Sequence, residues 1–192
     1  MGGPETLTDA VWTVFRAVLV PVGTDRDERA VFEALVRETA RRLGYDWVSV
    51  VLGEPYERCP RILLAVPTAP RAFWSGQRVD PRSGILEAMG TGVPFVRERL
   101  DAGDVVLWED AGLRDLGVVT YAAIPLTGDG RVVGTFNVGA ARAGRVSESL
   151  ELLARLAEFA AAAAGPARLV AEVQRRLPRL AEKVSTPIPP DF

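Results

Sequence analysis

Two β-rich runs, Val118 to Leu126 and Arg131 to Gly139, are joined by Thr127-Gly128-Asp129-Gly130. The Asp-Gly pair marks a tight hairpin, because both central residues of the favoured two-residue turn need positive φ. Apolar side chains occupy successive as well as alternate positions in both runs, so neither face of the hairpin is suited to water. The pair is therefore predicted to lie centrally in a sheet covered on both sides. That demands a mixed α/β plan, with the sheet held between helices and loops.

The flanking sequence supplies those layers. Val11, Val14, Phe15, Val18 and Leu19 recur at helical spacing between Thr8 and Val20, and Pro21 with Gly23 ends the run. Thr24 and Asp27 have the form of a capping box for a second helix, whose buried stripe is Phe32, Leu35, Val36, Thr39 and Leu43. Trp47 to Leu52 and Arg61 to Val66 read as an antiparallel pair of strands. Between Thr68 and Gly117 the signals weaken. Asp80-Pro81 has the form of an N-cap followed by a first-turn proline, leading to Ile85, Leu86 and Met89 and ending at Gly90-Thr91-Gly92. Pro94 to Val96 is a brief strand. Asp104 to Leu116 is either a short helix, with Val105, Trp108, Ala111 or Gly112, and Leu116 near one face, or a loop. Ser147 is placed to cap a long helix through Leu150, Leu153, Leu156, Ala157 and Ala160 to Ala164.

The 192 residues carry 23 basic and 25 acidic side chains, a formal net charge of −2. One domain is expected at this length. Nucleic acid is not an expected partner, since that affinity rests on basic side chains neutralising phosphates. No membrane association is expected either, because no apolar run approaches the ~20 residues of a span. The N-terminus has no basic segment leading into an apolar one, so the chain reads as cytoplasmic. Two absences are more selective. There is no histidine, and Cys59 is the only cysteine. Ser-His-Asp and Cys-His catalysis, His-ligated zinc and His-ligated haem are excluded, as are an intrachain disulfide and a cysteine-held cluster. No cofactor is expected.

At Gly117-Val118-Val119-Thr120-Tyr121-Ala122-Ala123-Ile124-Pro125-Leu126, followed across the hairpin by Val132-Val133-Gly134-Thr135-Phe136-Asn137-Val138, the sequence resembles the GAF domain family. Ser147-Glu148-Ser149 before Leu150 to Ala164, the helix from Asp25 to Leu43 and the Gly84 to Pro94 stretch match as well. The resemblance implies an α/β (α+β) fold over residues 25–164: a central antiparallel sheet with helices on one face and loops and short helices on the other. Residues 1–24 and 165–192 lie outside it as helical extensions, the second with a Pro-rich tail. The family's branches can be weighed against the residues present. Bilin- and haem-binding members use histidine, methionine sulfoxide reductase members use several cysteines, and cyclic-nucleotide members carry an Asn-Lys…Phe…Asp-Glu signature. None of these is found in this sequence. What the resemblance leaves is non-catalytic small-molecule sensing, dimerisation, or both.

The family places its pocket between the sheet and the short helices, which makes Trp74, Phe95, Trp108, Asp110 and Tyr121 the candidate ligand-binding residues. The aromatics are equally suited to plain core packing. Glu109 and Asp110 are adjacent, and helical neighbours point about 100° apart, so one at most is expected to face a pocket. A surface ion pair with Arg114 is the simpler expectation for them. Cys59, between Arg58 and Arg61, is either a redox-sensitive thiol or an ordinary loop cysteine. Val11, Phe15 and Val18 at one end, and Leu169, Val173 and Leu177 at the other, form apolar stripes beyond the family's span. Such stripes fold back on the domain or pair with a second copy, and a homodimer is the expectation. No output domain is recognisable, so a downstream signalling protein is expected to receive any signal. The alternative is an interaction module whose pocket is filled by its own aromatics.

Overall fold

The computed structural model describes residues 7–19, 28–53, 60–67, 76–100 and 107–166. Thr24, Cys59, Trp74, Leu169, Val173 and Leu177 lie outside the described residues. In chain order the elements are helices α1 (Leu7–Leu19) and α2 (Glu28–Leu43), strands β1 (Trp47–Leu52) and β2 (Arg61–Val66), helix α3 (Gly84–Thr91), strand β3 (Phe95–Arg97), helix α4 (Trp108–Asp115), strands β4 (Thr120–Gly128) and β5 (Arg131–Ala140), and the short helix α5 (Arg145–Glu148). A last helix, α6, covers residues 150–166.

The hairpin forms as its turn chemistry requires. Asp129 and Gly130 take φ of 53° and 74°, both in the left-handed region, and Gly128 pairs with Arg131 across the turn. The five strands form one antiparallel sheet in the order β2-β1-β5-β4-β3, which puts β5 at its centre. Seven consecutive residues of β4, Thr120 to Leu126, are buried. Both faces are therefore covered.

Side-chain alternation divides the interior into two layers. Val48, Val50, Ala122, Ile124, Leu126, Phe136 and Val138 point towards α1, α2 and α6, where Phe32, Leu35, Leu153, Leu156, Ala157 and Ala160 meet them. Trp47, Val51, Tyr121 and Ala123 point the other way, towards Ile85, Ala88 and Met89 of α3 and Leu113 of α4.

Several sequence expectations are corrected at helix starts. The N-cap of α3 is Ser83, whose Oγ accepts from the Ile85 N–H, while Asp80 accepts from the Arg82 N–H in a local turn. Ser147 caps nothing. It sits inside α5, exposed, with its hydroxyl donating to Glu98. α6 begins instead after Ser149, whose carbonyl accepts from the Leu153 N–H. In α1 the buried residues are Ala10, Val14 and Val18, on the layer shared with α2 and α6. Val18, set among the candidate interface residues, thus packs wholly within its own chain and offers nothing to a second copy. Val11 and Phe15 are half-buried, and Phe15 meets Phe159 of α6 edge-on at 4.6 Å between ring centroids.

Candidate functional site

The layer beneath α3 and α4 is apolar at its margins and polar in its middle. Strand pairing places Phe95, Ala123, Asn137, Ser49 and Ala65 in one row across the five strands. Arg97, Tyr121, Gly139 and Trp47 form the next row. Ser49, Thr135 and Asn137 are wholly buried in this face, and the Asn137 amide donates to Ser49 Oγ at 3.1 Å.

α4 adds two carboxylates. Its N-terminus is wedged against the start of α3, with the Trp108 N–H bonded to the Arg82 carbonyl at 2.9 Å. Glu109 Oε1 accepts from the Tyr121 hydroxyl at 2.6 Å and from the Gly84 N–H, the first of α3, at 2.8 Å. Asp110 turns back on its own helix. Its Oδ2 accepts from the Leu107 N–H at 2.9 Å and lies 3.4 Å from the Arg97 guanidinium. Glu109 and Asp110 are 0% and 1% exposed. The expected surface ion pair with Arg114 is therefore incorrect, since both carboxylates are enclosed. Residues about 100° apart on a helix can both be buried when two different elements press on it. Here α3 and β4 cover Glu109, and β3 covers Asp110. The apolar face expected on α4 is displaced accordingly, its buried residues being Glu109, Asp110 and Leu113.

Of the candidate ligand residues, the structure brings Phe95, Tyr121 and Asp110 to this one region, with Phe95 and Tyr121 rings 5.9 Å apart, and Trp108 packs half-buried at the margin of the same layer. The sequence reading gave Glu109 to a surface ion pair and passed over Arg97, Gly84, Ser49, Thr135 and Asn137 as site residues. Ser49, Thr135 and Asn137 carried a usable signal, as polar residues inside strands otherwise apolar on both faces. Glu109 had none, because its partners come from elements 25 and 12 residues away. Gly84 is needed for the close fit: a Cβ there would lie 2.4 Å from the Phe95 ring and 2.9 Å from the Tyr121 oxygen.

Four buried side-chain oxygens in this layer have no hydrogen-bond partner: Glu109 Oε2, Asp110 Oδ1, Thr135 Oγ1 and Asn137 Oδ1. Burial pushes the Glu109 carboxyl above its ordinary range, and the bonds from Tyr121 and Gly84 pull it part of the way back. The Tyr121 hydroxyl is raised well beyond the usual phenol range by burial and by the Glu109 carboxylate. It stays protonated and acts as a donor. Because the Glu109 carboxyl is raised on folding, the native state holds its proton more tightly than the unfolded chain. Its contribution to stability is then largest below the ordinary value of 4.5 and is lost as pH rises through the folded value. Glu109→Gln is expected to remove this loss, so that the variant's melting temperature exceeds the wild type's by a few degrees at pH 8 and matches it at pH 4. Thermal melts at the two pH values check this.

Two open clefts lie elsewhere. One of about 240 Å³ is lined by Leu100, Arg114, Gly117, Val118 and Val119. Another of about 270 Å³ lies between Tyr45, Arg142, Arg145 and the start of α6. Neither reaches the carboxylates. Among the described residues no cluster of His, Cys, Asp and Glu is arranged to hold a metal ion, and no helix is long and apolar enough to cross a membrane.

An antiparallel 2-1-5-4-3 sheet with a helical layer on one face and short helices over a polar patch on the other defines an α+β domain. The sequence matches the GAF domain family over residues 27–164, and the chain belongs to that family. Solved structures share the fold. The free methionine-R-sulfoxide reductase of Neisseria meningitidis, solved with its substrate, is 16% identical with a TM-score of 0.69, over 88% of this chain and 97% of that one. The GAF domain of an Acinetobacter phosphoenolpyruvate-protein phosphotransferase is 12% identical with a TM-score of 0.64, over 84% and 97%. A phycoerythrobilin-bound GAF domain from a cyanobacterial phytochrome is 14% identical with a TM-score of 0.63, over 85% and 98%. None of the curated proteins matches the sequence.

Proposed function

We propose that this GAF domain is a non-catalytic regulatory module that takes a small polar ligand beneath α3 and α4, pairs with a second copy through its terminal helices and passes the signal to a partner protein. The observation that carries the ligand is the set of four buried, unpartnered oxygens, two on α4 and two on the sheet face beneath it. Each is costly to leave unsatisfied, by about 1–3 kcal/mol, and together they favour a bound group that satisfies them. Catalysis of the reductase kind is disfavoured because a single thiol cannot resolve its own sulfenic acid within the chain. The regulatory effect would come from the ligand's different affinity for two arrangements of the helices, since a ligand with equal affinity shifts nothing.

A thermal-shift panel of nucleotides, amino acids, amines and organic acids tests the ligand. One class is expected to raise the melting temperature, the stabilisation growing by about 1.4 kcal/mol per tenfold excess over Kd. Silence across the panel would favour the second reading, an interaction module with a self-filled face. The full burial of Tyr121, Glu109 and Asp110 is the observation on that side.

Pairing is supported by α1. Trp12 and Leu19 are 60% and 44% exposed, and with the half-buried Phe15 they form an i, i+3, i+7 stripe next to α6. Light scattering is expected to give a dimer at micromolar concentration, and Trp12→Glu to give a folded monomer. A wild-type monomer at high micromolar concentration would rule out the pairing.

A further inference from the structure

The buried residues of α4 are Glu109, Asp110 and Leu113, so two of the three side chains that fix this helix are carboxylates. α3, on the same layer, buries Ile85, Ala88 and Met89 and no charged group. The seating of α4 therefore depends on polar bonds: the Trp108 N–H to the Arg82 carbonyl, Glu109 to Gly84 and Tyr121, and Asp110 to Arg97. Beyond its C-terminal end the chain turns at Gly117, where φ is 75° and nothing lies within 4 Å of an added Cβ. The open cleft of about 240 Å³ lies against the same residue, which leaves room for a pivot.

Among these bonds, those of Glu109 are the ones without a compensating cation. Tyr121 from β4, with Ser83 and Gly84 from the start of α3, faces its carboxyl with neutral donors. Its own helix adds the like charge of Asp110, and β3 adds Arg97, which is engaged with Asp110 at 3.4 Å. Arg82 and Glu87 are exposed, Arg82 beside Asp80. Among the described residues no basic side chain pairs with Glu109, and Oε2 has no partner at all. Neutral Glu109 closes the contact between α4, α3 and β4 without a buried charge. Ionised Glu109 leaves a carboxylate enclosed with one oxygen bonded, an arrangement that burial opposes.

We propose that α4 is a proton-controlled flap: with Glu109 neutral it is seated against α3 and β4, and ionisation of Glu109 releases it about Gly117, uncovering the Tyr121 hydroxyl. The direction follows from linkage. Opening is constant below the ordinary carboxyl value of 4.5, grows by up to about tenfold per pH unit above it, and levels off once the enclosed carboxyl is fully ionised. The flap needs no ligand, so silence in the thermal-shift panel leaves it standing.

Hydrogen exchange of the full chain, read by mass spectrometry from about pH 4 to about pH 9 with labelling times scaled to the intrinsic rate, tests the flap. The α4 amides are expected to lose protection on the order of tenfold or more across that range, while those of β4 and β5 keep theirs. Glu109→Gln, which holds the neutral form, is expected to show no such loss. Tyr121→Phe removes a donor to the carboxylate, so it should open α4 further at the alkaline end with much less effect at the acid end. Protection of α4 that is independent of pH in the wild type, or that falls equally in Glu109→Gln, would overturn the proposal. A parallel loss in β4 and β5 would also overturn it, placing the effect in global stability and leaving the expected melts of Glu109→Gln intact. Should Glu109→Gln fail to fold, Tyr121→Phe decides: alkaline protection equal to the wild type's would remove Glu109 as the controlling group.

Discussion

Gly134→Ala should lower the melting temperature by about 6–12 °C, corresponding to a loss of roughly 3 kcal/mol or more. Gly134 faces Leu52 on β1 and Leu126 on β4, beside an irregularity in the β4–β5 register. A Cβ added there would lie 2.2 Å from the Val51 carbonyl oxygen and 3.2 Å from Leu52 Cα. Both are backbone atoms, so no rotamer change relieves the clash. β5 is the central strand, held on both sides, and relief requires opening the β1–β5 ladder. Gly165→Ala is the control. Gly165 lies in α6 with no atom within 4 Å of an added Cβ, and alanine there is expected to be neutral or to stabilise by up to about 1 kcal/mol. Equal melting temperatures for the two variants would show that the central ladder has slack the structure does not contain.

The second large effect is expected from Arg97→Ala. The Arg97 side chain is 16% exposed and Asp110 is 1% exposed, so the variant strands a buried carboxylate. Breaking a buried pair from one side costs about 3–5 kcal/mol, most of it the uncompensated charge rather than the pair's own value. Asp110→Asn removes that charge and should cost much less, and the double variant should be more stable than Arg97→Ala alone. Urea unfolding of the four proteins closes the cycle. Additive effects would show that Arg97 acts on stability through other contacts. The pair matters to the site because it holds α4 against β3, and α4 is what carries Glu109 to Tyr121.

Local rules were sufficient for much of the fold. β1 and β2 span Trp47–Leu52 and Arg61–Val66, the same residues that the run of β-branched and aromatic side chains marks. The hairpin follows from Asp129-Gly130, since few other pairs accept positive φ twice. Helix starts were less legible. Several side chains near a start can offer an oxygen, and only the packed backbone selects one, as Ser83 over Asp80 and the Ser149 carbonyl over the Ser147 hydroxyl show. The stripe of α1 was read with Val14 and Val18 on the buried side, as they are; packing on α2 and α6 adds Ala10, leaves Val11 and Phe15 half-buried and leaves Leu19 exposed.

The candidate site divides along the same line. By itself the sequence determined the sheet, its two covered faces, the family, and the exclusion of every chemistry that needs histidine or a second thiol. It also singled out Phe95, Asp110 and Tyr121, which the fold brings close together. The structure alone showed that Glu109 is buried against the first turn of α3 and the Tyr121 hydroxyl, and that Asp110 is held by Arg97. Periodicity reports how a side chain points relative to its own helix. It does not report which other elements close around that helix, and the burial of both carboxylates, with the unpartnered oxygens it creates, is a property of three elements meeting.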